Sequence, residues 1–301
     1  MLAIVGTIPD PGVDILDGPV VRRGQAMFVE EQAVDTDRGT PALLASALAA
    51  CEFLGLDVPH ALLVGDEGLG HGSRNLYRHL SEVLPGRNYT TMAYHYLQPD
   101  TDWHDRVLLA MQSMATMPKI VADAGFMYAA KMSGQSGVYD LFTPDAGELA
   151  FLADPDAPHP FYTRGFILHD DQDVPARIAE AYEHGNSARC LLVKGGTDRV
   201  AQNGRVLYTV NGTRPGSDSP MEAASMKAVE AMEAMGGTGD TITGMAAALM
   251  ESGMAAPEAA HVAAQANRVA GDIARPTPAS QIHELIQHIP AALDRVMKQA
   301  G

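Results

Sequence analysis

Cysteine is scarce, with Cys51 and Cys190 the two examples in 301 residues. Each lies in apolar surroundings, which argues for buried thiols rather than a disulfide and fits a reducing cytoplasm. Basic residues are outnumbered, 21 against 37 acidic ones, for a formal net charge of −16. A surface of that sign repels nucleic-acid backbones and anionic lipid, so neither is expected as a partner. A phosphorylated ligand stays open, because backbone amides and one or two local cations can build an anion site in an acidic protein. Long hydrophobic runs are missing as well, and no stretch approaches the roughly 20 apolar residues that cross a bilayer. The opening MLAIVGTIPD has no basic flank and reads as a first strand rather than a signal peptide. Linkers, internal repeats and low-complexity tracts are also lacking, so a single domain over 1–301 is expected, with the composition of an ordinary soluble globular protein.

What is present is alternation. Short β-rich runs at 2–6, 61–65, 90–97, 119–125 and 190–196 are interleaved with helical patterns. The helices are expected at 41–54, 73–84, 103–115, 174–184, 240–252, 256–273 and 280–299. Strands bounded by Gly or Asp and followed by helices predict a mostly parallel sheet covered on both faces. Residues 198–210 differ: two β runs meet at Asn203-Gly204, which predicts an antiparallel edge hairpin. One composition shift occurs at 213–235, where a Gly/Pro/Ser loop leads into an Ala/Met/Glu helix. Its Met221, Met226, Met232 and Met235 read as core packing, with a mobile lid as the sharper alternative.

The segment Gly236-Gly237-Thr238-Gly239-Asp240 carries the most chemistry. It precedes a strongly apolar helix whose N-terminal amides would face a ligand, and glycine lets that ligand approach the backbone. Capping by Thr238 or Asp240 is the plainer reading, but capping does not require glycine at 236, 237 and 239. An acid beside an anion site can exchange a proton with a hydroxyl, which suits phosphoryl transfer to an alcohol or expulsion of a phosphorylated hydroxyl. Three weaker constellations accompany it. Asp145 and Glu148 would share the first turn of a helix, either at Mg²⁺ bridging phosphates or as acids complementing the helix dipole. LLVKGGTDRV (191–200) ends a strand with Lys194-Gly195-Gly196, suiting a nucleotide across strand ends or a plain strand exit. LLVGDEGLGHG (62–72) reads equally as a phosphate-approach loop or a tight βα turn. HELIQH (283–288) lacks zinc-site spacing, SGQSG (133–137) is no nucleophile elbow, and His95 and His104 read as structural or surface residues.

In this order the motifs resemble the ribokinase-like superfamily, and within it the ADP/ATP-dependent NAD(P)H-hydrate dehydratases. The likeness runs through LLVGDEGLG, KIVADAGFM, FTPDAGELAFL, LLVKGGTDRVAQNGRVLYTVNGT and, most specifically, GGTGDTITGMAAALMESGMAAPEAAHVAAQANRVAGDIA. The resemblance implies a three-layer α/β/α sandwich. It also implies repair of hydrated NADH or NADPH by phosphorylation of the ring hydroxyl from ATP or ADP and loss of phosphate. Carried over by position, Asp240 would be the acid–base group. Lys194, Gly195, Gly196, Thr197, Asp198, Gly237, Thr238 and Gly239 would hold the adenine nucleotide. Asp145, Gly70 and Asp123 would line the substrate side, Glu148 would help order Mg²⁺, and a cytoplasmic homo-oligomer is expected. Three departures stand out: Asp145 replaces the histidine of Thr-Pro-His, Thr40-Pro41 replaces Gly-Ala, and 213–235 is longer than usual. They keep open a kinase of the same fold acting on a sugar, a vitamin precursor or another small alcohol, and a nucleotide binder without turnover.

Overall fold

A computed structural model describes residues 1–24, 26–157, 173–211, 232, 235–277 and 279–300. Eleven strands form one continuous sheet in the order β11-β10-β9-β8-β7-β6-β1-β5-β2-β3-β4. They are β1 (Leu2–Ile8), β2 (Leu16–Arg23), β3 (Ala26–Val29), β4 (Gln32–Val34), β5 (His60–Gly65), β6 (Thr91–His95), β7 (Lys119–Ala122), β8 (Leu141–Phe142), β9 (Cys190–Val193), β10 (Thr197–Gln202) and β11 (Arg205–Asn211). The centre, from β9 to β5, is parallel throughout. Its two ends are antiparallel: β10–β11 at one side and β2–β3–β4 at the other.

Ten helices are described: α1 (Thr40–Leu54), α2 (His71–Val83), α3 (Thr101–Gln112), α4 (Ala124–Met132), α5 (Ala146–Ala153), α6 (Val174–Glu183), α7 (Thr238–Glu251), α8 (Ala256–Ala274), α9 (Ile282–Ile286) and α10 (Ile289–Ala300). Side chains of the central strands alternate between faces, as the two-residue strand period requires. Leu2 and Ile4 of β1 join the core under α1, α7 and α8, whereas Ala3 and Val5 join the core under α2 to α6. The result is the expected three-layer α/β/α sandwich. Cys51 and Cys190 are free and buried, and burial pushes both thiols up to about 12.

Several expectations shift at their boundaries, each for a local reason. The strand of 119–125 stops at Ala122, because Asp123 caps α4 and its carboxylate accepts from Ala124 N. The strand of 90–97 stops at His95, where Tyr96 turns to a φ of 52°. The helix of 280–299 divides into α9 and α10, since Pro290 has no N–H and its ring would clash with the preceding turn. The β2–β3–β4 ribbon was not foreseen. The edge hairpin was, and it turns at Asn203 and Gly204, both with positive φ. Met232 and Met235 are buried in the core, while Met221 and Met226 lie outside the described residues. Among the described residues no helix is long and apolar enough to cross a membrane.

Candidate active site

Because the central strands are parallel, their carboxyl ends meet at one edge of the sheet, the ordinary place for a ligand in such folds. Asp66 follows β5, His95 ends β6, Asp123 follows β7, Thr143 to Asp145 follow β8, and Lys194 follows β9. The N-termini of α1 and α7 close over the same edge.

The start of α7 decides between the two readings of its glycine turn. Gly237, at φ 101°, is the N-cap and offers no side-chain hydrogen bond to the helix. Thr238 does not cap; its hydroxyl donates to the carbonyls of Met232 and Met235. Asp240 does not cap either. Its Oδ2 accepts Gly39 N at 2.6 Å and its Oδ1 lies 3.1 Å from His95 Nε2. Among the described residues no side chain caps the first turn of α7, and its acid is turned towards α1 and β6. Burial pushes the Asp240 carboxyl up, but the His95 hydrogen bond and charge, the Lys194 charge and the Gly39 amide outweigh it. The carboxyl lies below its ordinary value of 3.8.

A second buried pair lies alongside. Lys194 Nζ is 2.7 Å from Asp123 Oδ2, which also accepts the Thr243 hydroxyl at 2.7 Å. Burial opposes the Lys194 charge, yet Asp123, Glu148 and Asp240 hold the ammonium above its ordinary pKa. A methyl built on Gly239 would lie in ordinary contact with Lys194 Nζ, at 3.6 Å, which places the ammonium directly beside the turn. Ligand atoms of His95, Asp123 and Asp240 lie within 4.8 Å of one another, but with Lys194 on Asp123 they are already held as an ion-pair network.

Lys194, Gly195, Gly196, Asp198, Thr238 and Gly239 line one cleft of about 200 Å³, together with Met232, Ile242, Asn267 and Arg268. Thr197 begins β10 beside it. Asp198 acts within the turn: its Oδ1 accepts Gly195 N and its Oδ2 accepts the Arg268 guanidinium. Asn267, buried in α8, accepts the Thr241 hydroxyl and donates to the Thr238 carbonyl. Asn267 and Arg268 had no expected role. Their signal was a polar pair inside the Ala/Val-rich run AAQANRVAG. His95, read as structural or surface, is buried against Asp240; His104 is a core residue whose Nε2 is 2.7 Å from the Tyr139 hydroxyl.

The other candidates lie at the same edge with different occupations. Asp145 and Glu148 form a reciprocal capping box at α5, and the Tyr128 hydroxyl donates to Glu148 Oε1. Burial, then the charges of Asp145 and Asp123, push the Glu148 carboxyl to about 8. In the 66–73 loop the amides of Gly68, Gly70 and Ser73 and the Ser73 hydroxyl all donate to Asp66. That segment is a tight βα turn built around its own carboxylate. A larger cleft of about 580 Å³ lies on the outer side of this turn, between Pro11 and Glu82, away from Asp240 and Lys194.

No model of a protein family matches the chain. In structure it is similar to a ribokinase-like superfamily protein of Enterococcus faecalis, with a TM-score of 0.53 and 12% identity over 98% of this chain and 87% of the other. It is also similar to phosphofructokinase-2 of Escherichia coli solved with fructose-6-phosphate (TM-score 0.53, 15% identity, 98% and 99% covered). A third likeness is to pyridoxal kinase of Staphylococcus aureus solved with AMP-PCP and pyridoxal (TM-score 0.50, 11% identity, 89% and 86% covered). At these identities the likeness is one of fold, and the fold is ribokinase-like. In sequence the chain is 33% identical over 257 residues to an uncharacterised protein of Methanocaldococcus jannaschii, covering 85% of this chain and 100% of that one. Identity at that level across the whole of the relative means that the chain belongs to the same family as the uncharacterised protein MJ1337 of M. jannaschii.

Proposed function

We propose that the protein transfers a phosphoryl group from an adenine nucleotide, ATP or ADP, to the hydroxyl of a small molecule. The observation that carries this reading is the start of α7. A helix turn without a side-chain cap faces a cleft shared with Lys194, and an ionised carboxylate stands at the same turn, held by Gly39 and His95. Amides and a lysine suit phosphate oxygens, and a positioned carboxylate suits a hydroxyl proton. The kinases that share the fold support the same class of reaction.

In this reading Lys194, Gly195, Gly196, Thr197, Gly237, Thr238 and Gly239 hold the nucleotide, with Asp198 and Arg268 fixing the shape of the turn beneath it. Asp240 takes the hydroxyl proton as the acceptor oxygen bonds to the terminal phosphorus and the bond to the departing nucleotide phosphate breaks. Asp123 keeps Lys194 in place, and Asp145 and Gly70 lie on the acceptor side. Mg²⁺ is implied by the fold family, and oxygen donors suited to a hard cation are present. Asp145 is exposed, with one carboxylate oxygen outside the capping box, while Glu148 would act through water. When bound, the ion neutralises phosphate charge.

A second reading is favoured by the sequence Gly236-Gly237-Thr238-Gly239-Asp240: dehydration of hydrated NADH or NADPH, in which the phosphorylated ring hydroxyl leaves as phosphate. One set of assays separates the readings. The protein is incubated with ATP or ADP and Mg²⁺, against hydrated NADH and against a panel of sugars and pyridine and pyrimidine alcohols. Recovery of reduced-nicotinamide absorbance marks the dehydratase, and a stable phosphorylated alcohol marks the kinase. Thermal stabilisation by nucleotide with neither product would leave a binder and refute both enzymatic readings. Asp240→Asn is expected to lower either turnover by about 10²-fold or more, with unfolding still cooperative. Undiminished turnover in that variant would refute the role of Asp240.

A further inference from the structure

We infer that His95 is the positioning residue of the reaction, acting through Asp240. The inference rests on the phosphoryl-transfer reading and deepens it. His95 ends β6 and is buried, with 1% of its surface exposed, so its ring is fixed by the sheet rather than by solvent. Both ring nitrogens have partners: Nε2 lies 3.1 Å from Asp240 Oδ1 and Nδ1 lies 3.0 Å from the Thr40 hydroxyl. An ionised carboxylate can only accept, so Nε2 carries a proton and donates to Asp240. Thr40 then holds the other side of the ring and fixes its plane.

The consequence for the carboxylate is geometric. Gly39 N takes one lone pair of Oδ2 and His95 takes one of Oδ1. Two donors from different elements, the start of α1 and the end of β6, restrain the carboxylate from rotating about its own bond. One remaining lone pair on each oxygen can receive a hydroxyl proton. A base held in this way reacts from one geometry and loses no rate to misoriented states. Thr40 thus does more than fill the place of a small residue at the start of α1.

Among the described residues the charged and titratable groups that act on Asp240 or on its immediate neighbours are His95 and Tyr96 at β6, Asp123 after β7, Glu148 on α5 and Lys194 after β9. Lys194 is already engaged by Asp123. His95 is the group hydrogen-bonded to the base, so its removal should be felt first at Asp240.

The test reads the carboxylate directly. Full-length protein labelled at the aspartate side-chain carboxyl carbon is titrated by NMR as wild type, His95→Gln, His95→Ala and Thr40→Val, with Asp240→Asn to assign the signal. His95→Ala is expected to raise the Asp240 midpoint by about one pH unit or more. His95→Gln, which can still donate, is expected to raise it by less, and its turnover should lie within about tenfold of wild type. The alanine variant should lose about 10²-fold in kcat, while stabilisation by ATP and Mg²⁺ stays at the wild-type level. An Asp240 midpoint unmoved in a folded alanine variant overturns the inference, whatever the activity; should the alanine variant not fold, a glutamine variant whose turnover falls well beyond tenfold below wild type overturns it instead. If the midpoint moves but wild type phosphorylates no alcohol and repairs no hydrated NADH, the hold of His95 on Asp240 stands and the phosphoryl-transfer reading falls.

Discussion

At the scale of single residues the site is a balance of buried charges, and Lys194 with Asp123 shows how narrow it is. Their pair is largely buried, with side chains 12% and 2% exposed, and Asp123 has its remaining oxygen committed to the start of α4. Removing one member leaves the other charged and without compensation, which typically costs about 3–5 kcal/mol. Lys194→Met is therefore expected to lower unfolding stability by that order in urea titrations, and Lys194→Met with Asp123→Asn to regain a large part of it. Two independent, additive losses would show that the pair is not coupled. Asp240 and Lys194 were legible in the sequence because glycines mark backbone that something approaches. His95 was not, because its meaning lies in contacts. Thr40 is 55 positions away, and the other donor to Asp240, Gly39, is 201 positions from it.

At the scale of elements the decisive contact is between α1 and α7, whose first turns bring Gly39 and Asp240 together. They cross so closely that a methyl on Gly244 would lie 2.1 Å from Ser46 Oγ and 2.2 Å from the Leu43 carbonyl oxygen. The second of these is backbone and cannot rotate aside. Gly244→Ala is expected to destabilise the fold by about 1–3 kcal/mol and to lengthen the Gly39–Asp240 hydrogen bond. Chemical denaturation and the Gly39 amide shift would report the two effects; an unchanged denaturation midpoint would contradict the packing. Elements with strong local signals were readable: the apolar α1, the Asn203-Gly204 hairpin and the runs of β1, β5 and β9. The β2–β3–β4 ribbon was not, since LDGPVVRR carries Gly, Pro and two arginines and gains its strand form by pairing with β5 and β3. β8 has two residues, too few for any period to show, and Thr143-Pro144 marks its end.

At the scale of the whole molecule, Asp17 fastens that unforeseen ribbon to the rest. Its two oxygens take His60 of β5 and His79 of α2 at 2.7 Å and Arg87 at 2.6 Å. Burial pushes the Asp17 carboxyl up, but the hydrogen bonds from His60 and His79 and the Arg87 charge outweigh it and leave it below 3.8. A lowered folded value adds stability that is complete above the unfolded value and is lost as pH falls through the folded one. Asp17→Asn should thus be less stable to unfolding than wild type at neutral pH, by about 1–3 kcal/mol. That gap should close in acid below 3.8, where wild type gives up the same interaction. A gap constant down to pH 2 would refute the assignment. The glycine-rich turns after β5 and before α7 share one edge of the sheet, and they are not equivalent. The one after β5 arrives already filled: Asp66 sits on its amides as a permanently tethered anion, present at a local concentration that no dissolved phosphate can match. Among the described residues no side chain plugs the turn before α7 in this way. An anion from solution is therefore offered free amides at α7, whereas at α2 it would first have to displace a carboxylate that cannot diffuse away.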